Sequence, residues 1–83
     1  MPMSSLTVPI NGYALRIIRG LKGRGMADLA RKLEVDRSYI NKIELGYVVQ
    51  VSSPLYARLL EELGITDYRT LMANPHGARS VTA

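Results

Sequence analysis

The chain has 83 residues, a formal net charge of +4, no cysteine and a single histidine. A chain of this length buries about 60–65% of the surface that its unfolded form exposes, so it forms one small domain around one core. Without cysteine it has neither disulfides nor thiolate metal sites, and we expect no metal and no cofactor. Apolar runs do not exceed three residues, whereas a bilayer span requires roughly 20. We therefore expect a cytoplasmic protein with no membrane partner.

The basic residues are concentrated in one half of the chain. Residues 14–42 contain eight basic and three acidic side chains, whereas the remainder has a net charge of −1. Such an uneven distribution favours a polyanionic partner that meets one face of the protein. A solvated surface explains the same pattern, so charge alone leaves both interpretations open.

Hydrophobic periodicity and capping residues predict an all-α domain of five short helices. Asn11 and Asp36 precede two of the helices as N-caps, and Ser53 followed by Pro54 opens another. Gly46 stands where a left-handed C-terminal stop belongs. The predicted helices span residues 12–22, 26–33, 37–45, 54–63 and 66–73, with an extended arm over 1–10, a loop over 47–52 and a flexible tail over 74–83.

The second and third predicted helices are joined by a tight turn and share an apolar face. Ala30 is small enough to let the two helices approach closely, so they lock at a steep angle and the third helix is held out from the body. The residues expected in this core are Leu29, Leu33, Val35, Ile40 and Ile43, joined from the first helix by Leu15 and Ile18, with Leu21 as a further candidate.

The outward face of the third helix is polar and carries no acid. It presents Arg37, Ser38, Asn41 and Lys42, which can hydrogen-bond to base edges or phosphates. A helix held out in this way fits the major groove of B-DNA, which is about 12 Å wide. Arg37 suits bidentate recognition of guanine and Asn41 suits adenine. A phosphate contact is the alternative for Arg37, and simple solvation is the alternative for Asn41.

Leu29-Ala30 in the second helix and Ile43-Glu44 in the third, followed by Gly46, occur at the spacing of a known family. Together with Val35, Ile40 and the run Leu63-Gly64-Ile65, they make residues 14–71 resemble the lambda-repressor-like, Cro/CI-type (Xre) helix-turn-helix proteins. The resemblance implies a compact five-helix DNA-binding domain over residues 11–73, with the helix-turn-helix over 26–45. It also implies that Arg19 and Glu44 form a structural ion pair that fixes the recognition helix.

Two residues depart from the family pattern. Met26 stands where many members have a glutamine that touches phosphate, although the N–H groups at that helix start can still face a phosphate. Glu34 stands where the turn usually has glycine, and a left-handed conformation there costs about 1 kcal/mol. The predicted phosphate contacts are Met26, Arg24, Lys32 and Tyr39, while Asp28, Glu61 and Glu62 are expected to be solvated surface charges.

An apolar loop follows the recognition helix, where the family usually has Lys or Arg. Either Val49 and Val51 lie under the fourth helix, or Tyr47, Val48 and Val49 form a contact between two copies of the chain. The remaining dimer candidates are Tyr68, Leu71 and Met72. The arm similarly covers the core or exchanges with a partner.

The resemblance implies a sequence-specific regulator of double-stranded DNA, a repressor that binds a pseudo-palindromic operator as a homodimer formed in solution or only on DNA. In size it is similar to a phage Cro or a small immunity repressor. An antitoxin-type regulator and a helical protein–protein adaptor without DNA binding are the alternatives. No carboxylate pair, nucleophile–base pair or phosphate-binding glycine loop is visible in the sequence, so we do not expect an enzyme.

Overall fold

The computed structural model describes residues 6–73. Residues 1–5 of the predicted arm and the whole predicted tail over 74–83 lie outside the described residues. The elements in chain order are β1 (Thr7–Pro9), α1 (Gly12–Leu21), α2 (Met26–Leu33), α3 (Arg37–Leu45), β2 (Gln50–Ser52) and α4 (Ser53–Leu63). The helix-turn-helix prediction is confirmed, because α2 and α3 pack on each other around a tight turn.

The prediction of a fifth helix over 66–73 is wrong, since residues 6–73 contain four helices and residues 68–71 form turns. Instead, carbonyl groups of this segment accept hydrogen bonds from distant parts of the chain. The Tyr68 carbonyl accepts a hydrogen bond from the buried Tyr56 hydroxyl, whose pKa is raised by burial. The Leu71 carbonyl accepts from the Asn11 N–H at 2.7 Å. These bonds hold the segment after α4 against the start of α1.

The fold is not purely helical, because part of the predicted loop over 47–52 is a strand. β1 and β2 pair antiparallel with Val8 opposite Val51, and the Ile10 N–H donates to the Val49 carbonyl at 3.0 Å. Val51 is buried beside α4, whereas Val49 is 61% exposed. Two β-branched residues facing each other suit a pleated pair, and the period-2 signal is too short to stand out in the sequence.

The helix caps follow the sequence with one shift, and with one difference: Asp36 occupies the N-cap position of α3, but its side chain makes no capping hydrogen bond. Asn11 caps α1 as predicted, accepting from the Ala14 N–H at 3.1 Å. The N-cap of α4 is Ser52 and not Ser53: the Ser52 hydroxyl accepts from the Leu55 N–H at 3.3 Å. Pro54 consequently occupies the second helical position, where its missing N–H is still no loss.

The core lies where all four helices meet. Leu15 of α1, Leu29 of α2, Ile40 and Ile43 of α3 and Leu59 of α4 are completely buried. The prediction that Leu21 joins this core is wrong, because α1 ends there and the side chain is 82% exposed. Burial of each of these leucine and isoleucine side chains contributes about 1.5–3 kcal/mol to folding, so the core fixes the orientation of α3.

Two backbone positions let α3 sit where it does. Glu34 has a left-handed conformation, with φ 60° and ψ 41°, in the turn between α2 and α3. Gly12 touches the last turn of α3 so closely that a Cβ there would lie 1.9 Å from the Ile43 carbonyl oxygen.

Arg58 of α4 donates to the Lys32 carbonyl at 2.7 Å and to the Leu33 carbonyl at 3.3 Å. It thereby satisfies carbonyls at the end of α2 that have no partner within the helix.

Candidate nucleic-acid interface

The outer face of α3 consists of Arg37, Ser38, Asn41 and Lys42, all of which are exposed. The opposite side of the helix is anchored by Ile40 and Ile43, neither of which has any exposed surface. Each predicted base-contacting residue therefore points away from the core. Because the inner side is rigidly packed, the outer face has a defined orientation for a binding partner.

Within the part of the chain that the structure describes, the cations of the outer face form no ion pair. None of the ion pairs that the structure describes within residues 6–73 involves Arg37 or Lys42. Their full charge is available to a polyanion. An arginine with free donors presents a planar fork that fits phosphate or the guanine edge.

Ser38 is partly engaged inside the protein. Its hydroxyl donates a hydrogen bond to the carboxylate of Asp36, the residue that precedes α3. This hydrogen bond holds the pKa of Asp36 below its usual value. The Ser38 oxygen consequently presents lone pairs to solvent, and it is better placed to accept than to donate.

Arg19 of α1 and Glu44 of α3 lie together, in the arrangement that the resemblance implies. Arg19 Nε is 2.6 Å from Glu44 Oε2 and Arg19 Nη2 is 3.0 Å from Oε1, a two-pronged contact. The side chains are only 16% and 3% exposed, respectively. The hydrogen bond to Glu44 raises the pKa of Arg19. A charged pair with this burial fixes the rotation of α3 relative to α1.

Arg24 is not a free cation, contrary to its prediction as a phosphate contact. Its Nε lies 3.0 Å from Asp28 Oδ2, and its Nη1 lies 2.8 Å from the Glu62 carbonyl oxygen. The expectation that Asp28 and Glu62 are merely solvated is therefore wrong, whereas Glu61 is exposed. The side-chain hydrogen bond to Asp28 is the main reason why the pKa of Arg24 is raised.

The other predicted phosphate contacts differ in accessibility. Lys32 is exposed on α2, whereas the Met26 side chain is half-buried against the core, leaving only its backbone N–H for an anion. Tyr39 is half-buried on the flank of α3, where it lines a groove of about 500 Å³ together with Leu55 and Arg58 of α4. Its hydroxyl is the part that can reach a phosphate beside α3.

The predicted dimer residues are divided between surface and core. Tyr47, Val49 and Tyr68 are 78%, 61% and 63% exposed, respectively. Val48 and Met72 are half-buried against the core. Leu71 has no exposed surface, so its inclusion among the dimer contacts is wrong. Its side chain belongs to the hydrophobic core, and its carbonyl accepts from the Asn11 N–H.

Two structural residues near this surface were missed in the sequence. Arg58 closes the end of α2 from α4, and Gly12 permits the contact between α1 and α3. A basic residue in the middle of α4 has no local signature, because its partners are backbone carbonyls 25 and 26 residues earlier. Gly12 resembles an ordinary first residue of a helix, and nothing in its neighbourhood indicates a contact with α3.

The described residues offer no grouping of His, Cys, Asp and Glu suited to a metal ion. Of the helices described, none has the length and apolar character that crossing a bilayer requires.

Comparisons with known proteins agree with this geometry. Residues 15–68 match the model of the helix-turn-helix family HTH_3, and the chain belongs to this family, whose members include DNA-binding transcription regulators. A search of the curated proteins gave no match.

Three solved structures resemble this chain. It is 34% identical to the restriction-modification controller protein C.AhdI from Aeromonas hydrophila, with a TM-score of 0.65, over 74% of this chain and 89% of C.AhdI. It is 30% identical to the clp gene regulator ClgR from C. glutamicum, with a TM-score of 0.65, over 84% and 88% of the two chains. It is 25% identical to SinR, the master regulator for biofilm formation, solved in complex with DNA, with a TM-score of 0.62 over 66% and 87%. The chain is thus a DNA-binding regulator of the helix-turn-helix class.

Proposed function

We propose that this protein is a sequence-specific repressor that binds a pseudo-palindromic operator as a homodimer, with α3 in the major groove. The observation that carries the proposal is the exposed polar face of α3, which presents two cations and no acidic residue of the helix itself, on a helix anchored by the buried Ile40 and Ile43. A probe helix must be both polar outside and rigid inside, because mobility would cost the entropy of ordering each contact.

Within this proposal, Arg37 reads a guanine through two donors and Asn41 reads an adenine through its amide. Ser38 accepts a hydrogen bond from a neighbouring base edge, and Lys42 contacts a base edge or a phosphate. Lys32, the Tyr39 hydroxyl and the Met26 N–H hold the phosphate backbone, which sets the register of the protein on the duplex. Arg24 has no part in this set, since its donors are already engaged.

The proposed dimer contact consists of the exposed apolar side chains of the predicted interface, Tyr47, Val49 and Tyr68, called here the apolar patch. A chain with a net charge of +4 associates with a second copy most easily through a surface without charge, because like charges across an interface are unfavourable. In the proposed dimer, the two copies of α3 would have to face half-sites about 34–36 Å apart.

The test begins with selection of bound sequences from a random duplex library, followed by titration of the selected operator across salt concentrations. The logarithm of the binding constant should fall linearly with log salt, with a slope of about −0.9 for each phosphate neutralised. Replacing Arg37 and Lys42 together by Ala should reduce operator affinity at least tenfold, since each base contact is worth about 1–3 kcal/mol.

The matched control replaces Arg16 of α1 and Lys22, the residue that follows α1, by Ala, which lowers the net charge by the same amount away from α3. We expect the control to retain most of the preference for the operator over random duplex. Unchanged operator affinity in the Arg37/Lys42 variant would show that α3 is not the recognition helix. A sedimentation experiment with Tyr47→Asp and Val49→Asp should give a monomer if the apolar patch is the dimer contact.

The likeness to C.AhdI favours a second candidate, a controller of a restriction–modification gene pair. Both candidates use the same DNA-binding surface and differ in the genes that lie beside the operator. Mapping the selected operator sequence onto the host genome separates them, because a controller's site lies ahead of a restriction or modification gene.

A further inference from the structure

We infer that Arg24 is a positioning residue for the recognition helix, one that ties α2 and α4 together and holds Arg19 in place against Glu44. The inference rests on the proposed function of α3. It replaces a direct contact between Arg24 and DNA by an internal one.

All three guanidinium nitrogens of Arg24 have partners within the protein. Nε faces Asp28 Oδ2 at 3.0 Å, Nη1 faces the Glu62 carbonyl oxygen at 2.8 Å, and Nη2 faces Glu62 Oε1 at 3.3 Å. Two carboxylates thus neutralise the cation. The Glu62 carbonyl lies in the last turn of α4, where it has no partner within the helix and where a cation is favourable. A phosphate contact would require breaking these bonds.

Both backbone polar groups of Arg24, its N–H and its carbonyl, form hydrogen bonds with Arg19. The Arg24 N–H donates to the Arg19 carbonyl at 3.0 Å, and the Arg24 carbonyl accepts from Arg19 Nη1 at 3.0 Å. The remaining donors of Arg19 are those that clasp Glu44. The position of the Arg24 peptide therefore sets the position of the guanidinium that orients α3.

The local chain cannot hold this peptide by itself. Arg24 stands between Gly23, which has a φ of 67°, and Gly25. Glycine on both sides gives the segment more conformational freedom than any other residue pair would. The side-chain bonds to Asp28 and Glu62 remove that freedom, because they fix residue 24 against two helices that the core already holds.

The first experiment compares wild type, Arg24→Lys and Arg24→Gln for the affinity of the folded protein toward the selected operator and toward random duplex across salt. We expect operator affinity to fall about tenfold in both variants, with an unchanged slope of log affinity against log salt. A phosphate contact predicts a different result: the slope falls by about 0.9 in Arg24→Gln, and Arg24→Lys retains wild-type binding. That result would overturn the inference.

A second experiment distinguishes positioning of Arg19 from a general effect of Arg24 on stability. It measures the folded fraction and the Arg19 Nε–H resonance in NMR spectra without DNA. We expect the resonance to shift or to exchange with solvent faster in both variants while the core resonances stay folded. An unchanged Arg19 signal, or a lower Tm with unchanged operator affinity per folded molecule, would also overturn the inference.

A pair of neighbouring glutamates on α4 provides a control that does not touch Arg24 itself. Glu62→Ala and Glu61→Ala raise the net charge equally. Of these two glutamates, Glu62 is the one whose side chain contacts Arg24 among the described contacts. We expect a two- to threefold lower operator-to-random ratio in Glu62→Ala and no change in Glu61→Ala. Equal ratios would contradict the inference. If the Arg37/Lys42 variant loses its preference for the operator while the Arg24 and Glu62 variants retain theirs, the proposed function stands and the inference fails.

Discussion

Two regions of the molecule are rich in charged or polar groups. One is the outer face of α3. The other, called here the inner seam, consists of Arg19, Arg24, Asp28, Glu44 and Glu62. In the seam every arginine is paired with a carboxylate. On the outer face, no described ion pair involves Arg37 or Lys42. The seam therefore contributes order to the fold, and the outer face contributes charge to a partner. A sequence count of basic residues adds the two together, although only the second is free to meet DNA.

The largest test of this difference is Arg19→Met, which leaves Glu44 buried without a partner. Breaking a buried pair costs about 3–5 kcal/mol, and we expect a loss of that size in the free energy of unfolding, measured by urea denaturation. The double variant Arg19→Met/Glu44→Leu should regain most of it, because no charge is then left unpaired. Arg37→Ala on the outer face should change the free energy of unfolding by less than about 0.5 kcal/mol. A loss below about 1 kcal/mol in Arg19→Met would mean that the seam behaves like a surface pair.

A second test addresses the contact between α1 and α3 without changing any charge. Gly12→Ala places a methyl group against the Ile43 carbonyl, so α1 must move away from α3. We expect a destabilisation of about 1–3 kcal/mol, the usual range for overpacking, measured as a shift in the urea midpoint. Gly20→Ala is the control, because a Cβ at Gly20 meets no atom within 4 Å and alanine is the better helix former. If Gly12→Ala were also stabilising, the tight α1–α3 approach would be incorrect.

The smallest expected effect concerns Glu34, which lies in the turn that joins α2 to the recognition helix. Glu34→Gly removes the left-handed strain, whereas Glu34→Ala keeps a Cβ and removes only the carboxylate, which is 3.9 Å from Arg58 Nη1 and 81% exposed. We therefore expect Glu34→Gly to be more stable than Glu34→Ala by about 1 kcal/mol, measured as the difference in their free energies of unfolding. Operator affinity should stay the same in both. Equal stability of the two variants would show that the turn is unstrained.

Much of the helix-turn-helix was predictable because its signals are local. Gly46 ends α3 with a φ of 89°, and Glu34 adopts the left-handed conformation that its place in the turn requires. The periodic leucines and isoleucines of α2 and α3 are buried as expected. Each of these features depends on residues within about one or two helical turns, so the sequence specifies them without knowledge of the rest of the fold.

The errors share a different cause. The segment 66–73 has a helical pattern, but the Tyr56 hydroxyl and the Asn11 N–H bind its carbonyls and hold it in turns. Leu71 was expected in a dimer interface, yet its side chain has no exposed surface and its carbonyl accepts from the Asn11 N–H. In both cases the deciding partner is more than ten residues away along the chain, where periodicity carries no information.

By itself, the sequence determined the two helices of the helix-turn-helix and the polar residues on the outer face of α3, because helix periodicity and capping are local properties of the backbone. Only the tertiary structure decided which cations remain free. Arg24 and Arg37 are the same residue type, and the sequence does not distinguish them. In the fold, the last turn of α4 lies beside Arg24, so that Glu62 contacts its guanidinium. An ion pair forms between groups that the fold brings within a few ångströms, and the separation along the chain does not show which ones those are.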